Sequence, residues 1–323
     1  MSKVDVLCLG ELMIDMKARY DDKGDIDGFS MKAGGAAGNV AVAVSRLGGN
    51  AGVIAKVSGD VFGEHLKKSM LDNGVNTDGM IMDPERKIAI AYLTYDAEQR
   101  PNYLFYRENS ASASFTSDEL DRNIFEGAKV LYFSSLGLAR EPMRSTNFEA
   151  ARIAGELGVR VAFDPNLRFS AWTDQNEIER EVKRMMTFTH ILKMNDEELA
   201  YLFGEGDIEE KCLEILNDYP SIQTISITLG AKGAFIMVRS GIKASVPAID
   251  NDVVDTIGAG DAFFAMLAIK SIEYEFNIDT EDKLCDTLKY CNTAALLTAK
   301  RPGAIPAMPL LSEVEEYKKQ YDK

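Results

Sequence analysis

Short apolar runs rich in β-branched residues alternate along the chain with longer segments whose apolar positions recur every three to four residues. Residues 4–10, 51–58, 129–134, 159–164, 190–195 and 224–230 read as buried strands, since unbroken apolar runs of that length suit strands covered on both faces. Between them, residues 37–47, 63–73, 143–157, 178–187 and 207–217 carry helical patterning. In the first of these, Val40, Val44 and Leu47 stand at i, i+4 and i+7 on one face. The rhythm predicts an α/β fold, a doubly wound and mostly parallel sheet flanked by helices, because right-handed crossovers join parallel neighbours.

Two segments break the rhythm. Residues 12–32 follow the first strand, and residues 87–107 alternate around turn residues at 96–101 and read as a hairpin. Lacking a crossover helix, the two pieces are expected to pair as a small antiparallel sheet beside the main one, forming a lid over a site, a dimer surface, or both. No repeat, low-complexity tract or linker divides the chain, so residues 1–323 read as one domain with its lid inserted in two pieces.

Composition narrows the function. The 323 residues carry 36 Lys and Arg against 51 Asp and Glu, a formal charge of −15. That balance argues against nucleic-acid binding, which needs a basic surface to displace counterions, and against attraction to anionic membranes. No stretch approaches the ~18 apolar residues of a membrane helix, and the N-terminal apolar run lacks a cleavage site, so a cytoplasmic location is expected. Four cysteines without CxxC spacing and only two histidines make a zinc site a poor reading and buried free thiols a better one.

The candidate chemistry lies in the punctuation between elements. In open α/β sheets, ligands bind beyond the carboxyl ends of the strands. Asp15, DPNLR at 164–168, NDEE at 195–198 and TLGAKG at 228–233 all fall there. Singly, each has a plain structural reading as an Asx turn, a helix cap or a strand-to-strand turn. Four polar turns on one sheet edge favour a shared cleft. Two glycine-rich segments say more. In GGAAGNVAVA, starting at Gly34, paired glycines permit close backbone approach to a ligand, and Asn39 is the one polar side chain near the start of an apolar helix. In DTIGAGDAFF, starting at Asp255, Gly258, Ala259 and Gly260 open a helix whose free N–H groups and dipole make an anion site. Asp261 follows in the first turn. Capping would explain it, but a carboxylate beside a bound phosphoryl group meets repulsion unless it serves as a base for an attacking hydroxyl. No GxxxxGK[ST] is present, nor HRD with DFG, and the turn after the first strand lacks GxGxxG, which weakens a dinucleotide-dependent dehydrogenase.

Together, GGAAGNVAVAVSRLGG at 34–49 and DTIGAGDAFFA at 255–265 resemble the two signatures of the ribokinase, or PfkB, family of carbohydrate kinases. The likeness runs from about residue 10 to residue 309, and the intervening motifs stand in the expected order. The resemblance implies a ribokinase-like fold with a β-sheet lid that could also form a homodimer, and transfer of the γ-phosphoryl of ATP to a sugar hydroxyl. It implies Asp261 as base, Gly258, Ala259 and Gly260 as anion hole, and Asp15, Gly34, Gly35 and Asn39 as sugar ligands. It further implies Asn195 and Glu198 for magnesium and phosphate positioning, largely through water, and Thr228, Gly230, Gly233 and Asn292 around the nucleotide. Asp255, Ile257 and Gly303 would lie near a monovalent cation, potassium.

DPNLRFSAW at 164–172, YLFYRENSAS at 103–112 and GAIPAMP at 303–309 resemble fructokinases, although 2-keto-3-deoxygluconate kinases carry similar segments. Arg107 and Arg168 are the candidates that separate the two. Both facing the sugar would favour an acidic substrate, whereas Arg168 on the phosphate would favour fructose. A catalytically silent sugar or nucleotide sensor on the same fold would keep the glycines and lose the base, and Asp261 is present.

Overall fold

The apolar runs do become strands, and their alternate residues feed two separate cores. The computed structural model describes residues 4–95, 101–249 and 252–322. Its strands are β1 (Val6–Leu9), β2 (Met13–Tyr20), β3 (Ile26–Gly34), β4 (Ala51–Ser58), β5 (Asn76–Asp83), β6 (Ala89–Tyr95), β7 (Pro101–Tyr106), β8 (Val130–Ser134), β9 (Arg160–Asp164), β10 (Ile191–Asn195), β11 (Thr224–Thr228), β12 (Ala234–Val238) and β13 (Lys243–Val246). Among the described residues nine of these form one sheet, ordered β13-β12-β11-β10-β9-β8-β1-β4-β5. It is parallel from β5 to β11, and the far edge turns antiparallel through β12 and β13.

Period-2 alternation divides the sheet faces. Val6, Cys8, Val130 and Tyr132 join a core with the helices Ala36–Arg46, Val61–Asp72, Ala259–Glu273 and Glu281–Ala299. Their neighbours Leu7, Leu9, Leu131 and Phe133 join a second core with the helices Met143–Glu156, Asn176–Met186 and Ile208–Asp218. Helices thus cover both faces, as doubly wound topology requires. Strand order runs one way from β1 through β8 and the other through β4, which puts the switch point, and its crevice, at the carboxyl end of β1.

The two segments that broke the rhythm form a second sheet, ordered β3-β2-β6-β7. Each piece is an antiparallel hairpin, but the seam between them, β2 on β6, is parallel, so the expected all-antiparallel lid is corrected at that pairing. Both strands leave the same edge of the main sheet, β2 after β1 and β6 after β5, and so run the same way. Most of the expected 96–101 turn lies outside the described residues. Among the described residues no helix is long and apolar enough to cross a membrane.

Candidate active site

The lid's period-2 register builds one wall of a cleft. Asp15 pairs across to Ala91, and Ala91 to Phe105, so these three share one face of the small sheet. All three, with Met13, line a cleft of about 610 Å³ against the carboxyl ends of β8 to β11. From the main sheet come Ser134, Asp164, Asn166, Arg168, Lys193, Asn195 and Thr228. The starts of two helices close the floor. Gly35 caps Ala36–Arg46 at φ 98°, where a side chain would also strike the carbonyl oxygen of Glu11. Gly258 caps Ala259–Glu273 in the left-handed region, at φ 83°.

Among the described residues no side chain caps that second helix, which leaves its amino end available to an anion. The expected three-amide hole is modified at one position: the Ala259 N–H donates to the Thr256 carbonyl at 3.2 Å, closing the turn. Asp261 sits one residue into the helix beyond Gly260, buried, with its carboxylate accepting a hydrogen bond from Asn39 Nδ2 at 2.8 Å. Burial pushes the Asp261 carboxyl above the ordinary carboxylate range, and the Asn39 hydrogen bond, Lys193 and Arg168 oppose that rise. Asn39 Oδ1 is buried and has no partner among the described residues, so this amide holds Asp261 with one end and presents an unsatisfied acceptor with the other.

Lys193 is a residue that sequence reasoning missed. It is buried, donates to Asp164 Oδ2 at 2.9 Å, and lies close to Gly260. Burial opposes its charge, but the carboxylates of Asp164 and Glu198 outweigh burial and hold the ammonium protonated. Burial likewise pushes the Asp164 carboxyl up, against the pull of Lys193. Asp15 is pushed up to about 7, first by burial and then by Asp261, with Arg168 pulling the other way. Of the five acidic residues that line the cleft, Asp15, Asp164 and Asp261 thus crowd around two cations, Lys193 and Arg168. A lysine inside an otherwise apolar strand, two residues before Asn195 and on its face, was the available signal.

The remaining expected residues divide. Asp15, Gly35, Asn39, Arg168, Asn195, Thr228, Gly230, Gly233, Ile257, Gly258, Ala259, Gly260, Asp261 and Asn292 line the cleft together. Asn292 anchors there through a hydrogen bond from Nδ2 to the Val246 carbonyl at 3.0 Å. Gly34 ends β3 packed against the Asp15 side chain. Arg107 does not line the cleft. It is buried in an ion pair with Glu11, a residue sequence reasoning also missed, and donates to the carbonyls of Leu136 and Ala171. Glu198 is set back too: one carboxylate oxygen accepts the Leu167 N–H at 2.7 Å and the other the Asn195 N–H at 3.0 Å, while Asn195 caps the helix in return. Its neighbours Asp196 and Glu197 reach the cleft instead. Asp255 accepts the N–H groups of Ile257 at 3.1 Å and Gly303 at 3.0 Å, with Lys17 Nζ 3.7 Å away.

Comparisons with known proteins bear on the family and the fold. A family model described as pfkB family carbohydrate kinase matches residues 3–311. Probable fructokinase-4 of Arabidopsis thaliana is 33% identical over 312 residues, covering 96% of this chain and 95% of the relative. The fructokinase of Xylella fastidiosa, solved with bound ATP, aligns with a TM-score of 0.91 at 28% identity, over 99% of this chain and 100% of its own. A double mutant of Vibrio cholerae O395 fructokinase, in a form with fructose, ADP and potassium ion bound, gives 0.84 at 27% identity over 98% of each chain.

Proposed function

The chain belongs to the pfkB family of carbohydrate kinases and is an ATP-dependent sugar kinase; from that premise we propose that it phosphorylates fructose, with Asp261 as the general base. The observation that carries the assignment of the base is the buried Asn39–Asp261 hydrogen bond at the amino end of an uncapped helix. The sugar enters between the lid and the Ala36–Arg46 helix, where Asp15 and the unsatisfied Asn39 Oδ1 meet its hydroxyls. Asp261 takes the proton of the attacking hydroxyl, and burial, by raising its carboxyl, makes it a stronger base than an exposed carboxylate. Amides at the Gly258–Gly260 turn and the cations Lys193 and Arg168 stabilise charge on the transferring phosphoryl group. Adenine and ribose take the stretch between Thr228–Gly233 and Asn292.

The charge of the cleft favours a neutral sugar over 2-keto-3-deoxygluconate. Arg107, the second cation an acidic substrate would have used, is spent on Glu11, and three carboxyl groups crowd the sugar end. Among the described residues no cluster of three metal-ligating side chains exists. Magnesium is usually held by one or two carboxylates together with substrate phosphates, and Asp196 and Glu197 at the cleft are two such carboxylates. Asp196 and Glu197 would hold it through water, with Glu198 fixing the turn that presents them. When bound with ATP, the ion supplies neutralisation of the phosphate charge. Asp255, which already draws the Ile257 and Gly303 loops together, would lie beside a potassium ion. The lid's outer row, Met31, Met16, Tyr92 and Leu104, with Phe29 and Tyr106 exposed beside it, suits a homodimer in the cytoplasm.

The test is ADP release measured by a coupled assay over fructose, 2-keto-3-deoxygluconate, ribose and adenosine. Fructose is expected to give the highest kcat/KM. A higher value with the keto-deoxy acid overturns the substrate, and ATP binding without release on any acceptor would be the behaviour of a sensor.

A further inference from the structure

A second cavity opens at the opposite edge of the main sheet, by the amino ends of β9, β10 and β11. It has a volume of about 320 Å³ and is lined in part by Arg160, His190, Gln223, Thr224, Ser271 and Phe276. None of its lining residues is acidic, in a chain whose formal charge is −15. The Arg160 guanidinium lies over the Phe276 ring at 5.6 Å and has no carboxylate or carbonyl partner among the described residues. That stacking leaves its N–H edge unspent. His190 Nδ1 accepts the Val161 N–H at 3.1 Å, so the neutral ring carries its proton on Nε2, a donor with no partner among the described residues. Thr224 adds a hydroxyl. Ser271 directs its own proton to the Leu267 carbonyl at 2.8 Å.

We propose that this cavity binds a small metabolite through a carboxylate or phosphate group, with Arg160 as the anchoring cation and His190 Nε2–H as a second donor. A guanidinium edge matches either oxyanion in a two-pronged fashion, and the Phe276 ring gives the remainder of the ligand an apolar wall. The nearby carboxyl end of the helix Ala259–Glu273 opposes an anion with a partial charge of roughly −0.5, less than the full charge of the guanidinium. The site is independent of the sugar cleft, which occupies the other end of that helix.

The chain has only two histidines, His190 and the exposed His65, so two-dimensional ¹H–¹³C NMR of imidazole Cε1 gives one reporter and one internal control. Inorganic phosphate and citrate are titrated separately at fixed pH and ionic strength, with chloride as the reference salt. A saturable shift of the His190 signal, with His65 unmoved, is expected for at least one anion, and the anion that produces it identifies the headgroup. In Arg160→Gln the apparent affinity should fall about tenfold or more, the loss of one charge-assisted pair, while sugar-kinase turnover shows that the variant is folded. No saturable shift with either anion overturns the site. So does an equal shift with chloride or one that persists in Arg160→Gln.

Discussion

Replacing Asn39 with alanine separates the two tasks its amide is assigned. Asn39 Nδ2 donates to the buried Asp261 carboxylate at 2.8 Å, and that bond favours the ionised form which burial disfavours. A hydrogen bond to a charged group contributes about 1.5–3 kcal/mol. Since each 1.4 kcal/mol is a factor of ten, removing it shrinks the ionised fraction of Asp261 roughly ten- to a hundredfold, at any pH below its titration. The sign follows from the direction of the shift. Losing the donor pushes the carboxyl further up, so the acid limb of the kcat/KM profile moves to higher pH, and the deficit shrinks as pH rises through the new limb. A lost sugar contact at Asn39 Oδ1 would lower kcat/KM by a constant factor at all pH values. The assay is kcat/KM for fructose from about pH 5.5 to pH 9.5. Thermal melting checks that the variant is folded. A loss that is the same across the whole range refutes the coupling of Asn39 to a catalytic Asp261.

Three further substitutions test the other charges. Asp261→Asn should lower kcat by about 10²–10⁴, the usual contribution of a general base. Its melting temperature should hold or rise, because the substituted amide still accepts from Asn39 and no longer buries a charge; near-normal turnover would end the assignment. Lys193→Met leaves Asp164 buried without its cation. It should cost about 3–5 kcal/mol near pH 8, and less near pH 5, where a carboxyl already pushed up by burial takes a proton instead. Urea midpoints at the two pH values give the answer, and equal losses would contradict it. Arg107→Met should destabilise by a similar amount through the orphaned Glu11, with partial recovery on adding Glu11→Gln, and should leave the preference for fructose over 2-keto-3-deoxygluconate unchanged. A changed preference would return Arg107 to the sugar.

Strand and helix positions were legible where burial is simple. β4 and β8 to β11 lie within a residue or two of the apolar runs that announce them, because central parallel strands are covered on both faces and contain almost nothing else. β5, β12 and β13 left weaker traces. β5 and β13 stand at the sheet edges, where NTDGMIMD and KASV mix polar residues into the strand, whereas β12, AFIMV, is wholly buried but only five residues long and paired antiparallel outside the β-α-β rhythm. The helix Ala259–Glu273 showed its start in the glycine turn but not its length, since every residue from Asp261 to Ala268 is buried and no polar face marks its turns. Glu281–Ala299 hides similarly: Thr287, Thr293 and Thr298 are buried, each returning its hydroxyl proton to a carbonyl four residues back.

The site was legible in its glycines and less so in its charges, for a physical reason. A backbone forced to a positive φ at Gly35 and Gly258 leaves a local mark, because few other residues tolerate it. An ion pair leaves none: Glu11 and Arg107 are 96 positions apart, and Lys193 and Asp164 are 29 apart. Nothing nearby in sequence says which partner each takes. Yet the partner decides the chemistry. Glu11 takes Arg107 out of the cleft, whereas Lys193, tied to Asp164 and close to Gly260, brings a positive charge to the floor of the site. A chain of formal charge −15 that uses ATP needs that local field. It is built from two cations, Lys193 and Arg168, beside an uncapped helix end. The carboxyl groups packed near them, Asp15 and Asp261, offset part of that positive charge where the proposal puts the sugar. On the proposed reading, selection between a neutral and an acidic sugar rests on the balance of buried charges, since the glycines shape the backbone and carry no charge with which to tell the two apart.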